Sequence, residues 1–285
     1  MNRLTKLPLA QLEMFTLLVY YGIKDAYLVD CCSMSSDEAS AFVNYLQAKH
    51  NLAKETLITV LLDYDILFVN HEVLCCKLSN LEQKKNIPVV IDIGTTLSVL
   101  LESSAQMECL YNTFRDVVSP GSTLEFEVPI TESLRIIVGL PFVAGWLLGY
   151  PCLYRAQESP ESTSTANDCT MMNLVKYTVS ADVSIKEALP VVSKKKGKNG
   201  SSAKDNGNAN TSSKQEIRSV EVMGFSIPER LLESDANIQT QLQQSVDNIV
   251  LDMQRRASAL RSADSLCVCN CIVMQTVHTV PKLAL

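Results

Sequence analysis

The stretch that decides the fold runs from Leu134 to Tyr154 and reads LRIIVGLPFVAGWLLGYPCLY. It holds the only tryptophan of the chain, and it carries no charge from Ile136 to Tyr154, a run approaching the length of a bilayer-spanning helix. Its two prolines and three glycines argue against such a helix. A proline removes a backbone hydrogen bond, and hydrocarbon offers the freed carbonyl groups no partner. We therefore expect this stretch to be buried in protein, with no transmembrane segment.

The same glycines and prolines divide the stretch into three short elements. Leu134–Val138 is rich in β-branched residues, which predicts a strand covered on both faces. Pro141 suits the first turn of a short helix over Phe142–Leu148, and Gly149 suits the position just past its end. A second strand is predicted at Cys152–Tyr154.

The rest of the chain alternates between apolar runs of strand length and amphipathic segments of helical period. Strands are predicted at Ala26–Val29, Leu57–Leu62, Ile66–Val69, Ile87–Ile93, Leu124–Val128, Leu174–Val183 and Ile217–Phe225. Helices are predicted over Asp37–Lys49 with Ser35 or Ser36 as the cap, after Asn70, around Met107–Val117 and over Asp235–Leu260. The last apolar run, Leu266–Val280, predicts a central strand. The fold class is therefore α/β, with a mixed β-sheet and flanking helices.

One segment, Ser193–Lys214, contains no Val, Ile, Leu, Met or aromatic residue, which predicts a disordered insertion. We expect residues 1–192 and 215–285 to form one domain around it. The segment holds six lysines and one aspartate, so the remainder has 19 basic and 30 acidic residues. A folded body that acidic repels phosphate backbones, and we expect no nucleic-acid partner. Lys194–Lys198 is read either as a nuclear import signal or as a solvated linker.

Ten cysteines occur in the chain, but their context does not favour disulfides. Gln11 and Glu13 interrupt the apolar residues near the start, so no signal peptide is predicted. We expect a cytoplasmic or nuclear protein with reduced cysteines. Cys267, Cys269 and Cys271 alternate along a strand and lack the Cys-x-x-Cys spacing of zinc sites, so we expect no metal.

Two candidate site clusters follow predicted strands, where open α/β sheets place their clefts. Asp30, Cys31 and Cys32 come directly after the strand at Ala26–Val29. With His71 or His278 as the base, either thiol could act as a nucleophile. The alternative is that both cysteines are small apolar side chains in the interior.

Asp92 ends the strand within VVIDIGTT, residues 89–96. This run resembles the first phosphate loop of the actin and sugar-kinase superfamily, where the aspartate handles metal and the backbone amides cradle phosphate. The second phosphate loop of that superfamily has no counterpart here, and a glycine turn explains the run equally well. We expect no cofactor.

Three segments together resemble the chromosome 1 open reading frame 74 family of animal proteins. They are the leucine-rich first helix leading through Gly22 into Ala26–Cys31, the run GWLLGYPCLY at residues 145–154, and the strand VMQTV at residues 273–277. The resemblance covers most of the chain outside Ser193–Lys214. It implies no activity, cofactor or site residue.

The sequence contains no complete catalytic constellation, although the chain is long enough to carry one. The first functional hypothesis is therefore a non-catalytic interaction or regulatory protein with a protein partner. The alternative is an enzyme with a thiol or carboxylate site near Asp30, Cys31, Cys32 and Asp92, with His71 as the base.

Overall fold

The computed structural model describes residues 6–92, 99–101, 104–115, 125–129, 131, 134–155, 171–185, 217–260 and 266–281. The helices are α1 Lys6–Tyr20, α2 Ser36–His50, α3 His71–Glu82, α4 Ser104–Phe114, α5 Leu140–Leu148, α6 Glu229–Ser234 and α7 Ala236–Leu260, with a π-helix at Leu134–Val138. The strands are β1 Ala26–Leu28, β2 Leu57–Leu62, β3 Asp65–Asn70, β4 Val89–Asp92, β5 Val99–Leu101, β6 Glu125–Glu127, β7 Cys152–Arg155, β8 Met171–Ile185, β9 Arg218–Pro228 and β10 Leu266–Pro281.

The mixed α/β class is confirmed, but the strands form three sheets. Their orders are β1-β3-β2-β6, β5-β4-β7 and β10-β8-β9. The pairs β2–β6 and β4–β7 are parallel, and the other pairs are antiparallel. Apolar periodicity reports which residues are covered and not which strands are neighbours, so the sequence did not predict the division.

The short sheet β5-β4-β7 lies between two hydrophobic cores. Val90 and Leu153, paired across β4 and β7, belong to the core that also contains β2, β3 and α5. Ile91 and Cys152 belong to the core formed with β8, β9 and α7. This strand pair is therefore apolar on both faces, as predicted for residues 87–93 from their unbroken apolar run.

The predicted strand over Leu134–Val138 is wrong, because these residues form the π-helix. Leu134 and Val138 are buried while Arg135 and Ile136 are exposed, a spacing of four that fits a helical turn. The Gly139 N–H donates to the Leu134 carbonyl at 2.9 Å, the i to i+5 bond that defines this helix type. β-branched composition therefore misled the prediction.

The rest of the central stretch agrees with the prediction. Helix α5 has Pro141 in its first turn, ends at Gly149 in the left-handed conformation (φ 83°), and is followed by β7. Trp146 is 4% exposed, and its ring centroid lies 5.3 Å from that of Phe114. Among the described helices, none has both the length and the apolar character needed to cross a bilayer.

The sheet β10-β8-β9 packs against α7. The predicted helical face is confirmed, with Ile238, Leu242, Val246, Met253 and Ala257 buried. The prediction of a central strand at Leu266–Val280 is wrong, since β10 lies at the edge of its sheet. A continuous apolar run predicts cover on the two faces of a strand and carries no information about its hydrogen-bonding edges.

Candidate functional site

The predicted thiol cluster lies just past β1, beside the start of β3. The Val29 N–H donates to the Ile66 carbonyl at 2.9 Å, and Asp30 beyond it is exposed. Cys31 and Cys32 are half-buried free cysteines, with their Sγ atoms 3.9 Å apart. The structure therefore keeps these three residues together.

His71 lies at the opposite end of the same sheet. Leu28 pairs with Leu67 in antiparallel register, so the chain beyond β1 runs toward the start of β3 while His71 follows its end. The five steps along the chain from Ile66 to His71 span about 17 Å at the usual rise of a strand. The structure therefore does not bring His71 within reach of either thiol.

The surroundings of Cys32 and of the adjoining Tyr27 favour the neutral forms of these two side chains. Burial raises the pKa of the Cys32 thiol to about 11, and the neighbouring Cys31 adds to this effect. Burial likewise raises the pKa of Tyr27 well above its usual value, and the Tyr27 hydroxyl donates to Asp30 Oδ1 at 3.2 Å. Nucleophilic attack needs a thiolate, so Cys32 is poorly suited to it at neutral pH.

Asp92 belongs to a different sheet from Asp30. It ends β4, is 6% exposed, and pairs in register with Val99 of β5 and Arg155 of β7. Residues paired in register in a parallel sheet project to the same face, so Asp92 and Arg155 share one face of this sheet. The glycine and threonines of the predicted phosphate loop lie outside the described residues.

A cleft that the sequence did not predict lies between α3, α5 and α7, with a volume of about 490 Å³. Its walls also include the turn before β1 and the segment between α3 and β4. A second hollow, of about 570 Å³, runs along α4 and β6. Residues 116–124 between those two elements are outside the described ranges, so the α3–α5–α7 cleft is the better-defined site.

Lys77 lies at the base of this cleft and has all of its N–H groups paired. Its Nζ lies 2.7 Å from Asp25 Oδ2, 2.7 Å from the Trp146 carbonyl and 3.0 Å from the Leu147 carbonyl. These carbonyls are among the last of α5, where a cation is favoured by the helix dipole. Burial lowers the pKa of Lys77, while Asp25 opposes that shift. The ammonium therefore holds α5 against α3 and the β1 turn.

Arg256 of α7 forms the opposite wall. Its Nη1 donates to the carbonyl of Gly22, which has φ 69° in the turn after α1. This is the single hydrogen bond that its guanidinium makes within the described part of the chain. A guanidinium has five N–H donors, so most of them are left for solvent or a ligand.

The remaining lining is polar and neutral in balance. The carboxylates of the lining are Asp25, which pairs with Lys77, and Asp252, which pairs with Arg255 of α7 at 3.3 Å. Side-chain amides and a hydroxyl come from Asn80, Asn86, Asn248 and Ser245, and the apolar part includes Ile87, Pro88, Ile249 and Met223. No histidine lines the cleft among the residues that the structure describes. The arrangement can donate and accept hydrogen bonds, and it offers no evident acid–base pair.

Sequence reasoning also missed Lys24, which precedes β1. Its Nζ lies 4.8 Å from the ring centroid of Phe15 and 5.8 Å from that of Tyr27, and these two rings are stacked 4.9 Å apart. Burial lowers the pKa of Lys24 to about 8, although Asp30, Glu221 and Asp25 oppose the shift. No local pattern marks this lysine, because the rings that surround it come from α1 and β1.

No group of three or more His, Cys, Asp or Glu side chains in the described ranges is arranged to hold a metal ion. The chain belongs to the family described as a domain of unknown function, DUF4504, which matches residues 2–192. That range contains Asp25, Lys77 and Asn80, whereas α7 with Asn248 and Arg256 lies beyond it. Neither a curated protein nor a solved structure matches the chain.

Proposed function

We propose that the chain is a non-catalytic interaction protein that binds an extended segment of a protein partner in the α3–α5–α7 cleft. The observation that carries this proposal is the pairing of Lys77 with three acceptors. A lysine saturated in this way is neither a free base nor a nucleophile. The cleft is therefore a surface for recognition, built around a cation that serves the fold.

The chemistry of the lining favours a polypeptide over a charged small molecule. Side-chain amides both donate and accept, as the peptide groups of a bound segment require. Their apolar neighbours Ile87 and Ile249 suit an aliphatic side chain of that segment. The two cations and two carboxylates cancel, which disfavours a strongly charged ligand.

The enzyme hypothesis gains no comparable support. A thiol mechanism needs a thiolate and a base, whereas burial raises the pKa of Cys32 and His71 lies about a strand length away. Asp92 pairs in register with Arg155 in another sheet. These placements favour binding over catalysis.

We further propose a cytoplasmic or nuclear location, membership of the chromosome 1 open reading frame 74 family, and a single domain formed by residues 1–192 and 215–285. The family proposal is supported by the three sequence segments described above. The domain proposal is supported by one core that joins Leu18 and Cys152 with Tyr177, Val222 and Leu242.

Site-specific photocrosslinking tests the binding proposal. A benzophenone amino acid is introduced at Asn248, which lines the cleft. The control carries it at Gln254, which is exposed on α7 and does not line the cleft. We expect a discrete crosslinked protein from Asn248 in cells and none from Gln254. Asn80→Arg in the opposite wall should abolish that product, while Asn237→Arg at the exposed start of α7 should leave it unchanged.

Equal crosslinking from Asn248 and Gln254 would show that the cleft is not the binding surface. A product that survives Asn80→Arg would lead to the same conclusion. Thermal unfolding of each variant establishes that the fold is intact before the crosslinks are compared.

A further inference from the structure

Arg256 is the one cation lining the α3–α5–α7 cleft that has no carboxylate partner among the described residues. Lys77 pairs with Asp25, and the other carboxylate of the lining, Asp252, pairs with Arg255. Arg256 is half-buried and makes a single hydrogen bond within the described ranges, to a backbone carbonyl. The remaining N–H groups of its guanidinium are arranged to donate two parallel hydrogen bonds to one carboxylate.

Arg256 also lies at one end of the cleft. Helix α7 lines the cleft through residues between Ser245 and Arg256, and Arg256 is the last of them. At that end its hydrogen bond to the Gly22 carbonyl joins α7 to the turn before β1, so two walls of the cleft meet there. A bound segment that reaches Arg256 therefore stops at this point, and a polypeptide that stops carries a terminal carboxylate.

We propose that Arg256 binds the C-terminal carboxylate of the partner's segment, so that the cleft recognises the end of a chain. This inference rests on the function proposed for the cleft, and it adds the chemistry and the direction of the ligand. A chain end brings a single negative charge, which agrees with a lining that disfavours strongly charged ligands. Because every polypeptide has such a carboxylate, selection between partners depends on the residues that precede it.

The wall formed by α7 sets the length of the segment and the place of its apolar side chain. From Arg256 back to Ser245 the helix rises by about 17 Å, which equals about five extended residues. Ile249 lies about 10 Å from Arg256 along the same helix, so an aliphatic side chain about three residues before the end falls at its level. The side-chain amide of Asn248 lines the cleft beside Ile249 and can pair with a peptide group there.

Two synthetic peptide libraries that differ in one chemical group test the proposal. Both contain random peptides of the same length, and one ends in a free carboxylate while the other ends in a carboxamide. Each library is passed over immobilised full-length protein and over Asn80→Trp, which fills the cleft without changing its charge. Peptides retained only by the wild type are sequenced by mass spectrometry. We expect them from the carboxylate library, with an aliphatic residue near the third position before the end.

The peptide retained best from the carboxylate library is then compared with its own amide by fluorescence polarisation. Amidation should weaken binding to the wild type by roughly 10- to 100-fold, because it removes a charge-assisted hydrogen-bonded pair. Arg256→Gln should weaken binding of the acid by the same factor and leave binding of the amide unchanged, since it removes the same pair from the other side. Arg135→Gln, an equal change of charge at an exposed position outside the cleft, should leave both unchanged.

Equal affinity of the wild type for the acid and the amide would overturn the inference and leave the proposed binding function in place. A preference for the acid that survives Arg256→Gln would overturn it in the same way. If neither library yields a peptide that depends on the cleft, the proposed function and the inference both fail. The acid and the amide are compared on the wild-type protein, so this result does not depend on the folding of a variant.

Discussion

Lys24 and Lys77 are both half-buried and both lie over aromatic rings, but they differ in their hydrogen-bond partners. Lys77 beneath the cleft has a carboxylate and two helix-end carbonyls as partners. Lys24 beside β1 has two aromatic faces. Burial lowers the pKa of both lysines, so burial by itself does not separate their roles. The hydrogen-bond partners do, because Lys77 ties the turn before β1 to the end of α5, whereas Lys24 lies against ring faces.

The largest expected effect is at Lys77. Lys77→Met keeps the length of the side chain but leaves Asp25 and two α5 carbonyls without their cation. Breaking a buried ion pair from one side costs about 3–5 kcal/mol of unfolding free energy. Urea unfolding measures the loss, with exposed Lys54→Met as the matched control at less than about 0.5 kcal/mol. A loss as small as the control's would mean that Lys77 does not tie the helices together.

The second effect concerns Gly149, next to the same ion pair. Its φ of 83° disfavours a side chain, and an added Cβ would overlap the carboxylate of Asp25. Gly149→Ala should therefore destabilise the fold by about 2–3 kcal/mol. Asn51→Ala is the control, because Asn51 ends α2 in the same left-handed region (φ 53°, ψ 46°) and is exposed. It should cost about 1 kcal/mol of backbone strain. A loss at Gly149 no larger than that of the control would show that the Asp25 contact is unimportant.

Lys24→Met should behave in the opposite way to Lys77→Met. Removing a cation that has no hydrogen-bonded partner should leave unfolding at pH 7 unchanged or more difficult. The folded pKa of Lys24 is lowered to about 8, so the folded chain binds fewer protons than the unfolded chain above that pH. The penalty of burying the cation is complete below pH 8 and fades toward the unfolded pKa near 10.4.

The stability difference between Lys24→Met and wild type should therefore shrink between pH 8 and pH 10. Urea midpoints at pH 7.5 and pH 9.5 measure it. Taking the difference between the two proteins cancels the other groups that titrate in this range. A difference that is independent of pH would contradict the lowered pKa.

The smallest effect is a difference in rate between one thiol near each lysine. Cys76 is exposed at the cleft, whereas Cys32 is half-buried with its pKa raised to about 11. Iodoacetamide at pH 8 should alkylate Cys76 several-fold faster, because the thiolate is the reacting form. Peptide mass spectrometry over a time course separates the two rates. Faster alkylation of Cys32 would revive the enzyme hypothesis.

Local patterns predicted most helices and strands, since caps and periodicity act over a few residues. The Ser35 hydroxyl accepts from the Glu38 N–H, and the Glu38 carboxylate accepts from the Ser35 N–H. This capping box marks the predicted start of α2. The Leu134–Val138 prediction failed because the π-helix depends on two hydrogen bonds to residues outside it. The Gly139 N–H donates to the Leu134 carbonyl, and the Thr131 hydroxyl accepts from the Leu134 N–H.

The candidate sites were harder to predict, because their residues meet only in the folded chain. Lys77 and Arg256 face one cleft from helices far apart in sequence. Nothing near Lys77 in the sequence marks Trp146 and Leu147 as its acceptors. The proximity of Cys31 and Cys32 was predictable because they are adjacent in the sequence. The distance of His71 from them depends on the direction in which β3 pairs with β1, and no local pattern shows that direction.

The position of β4 links the two halves of the interior. Val90 belongs to one core and Ile91 to the other, so the two faces of this strand are each part of a different core. A shift of β4 by a single residue would exchange these side chains and disturb both interiors together. Slippage of β4 is therefore suppressed, and a disturbance in the core that contains α5 reaches the core that contains α7 through the four residues of one strand.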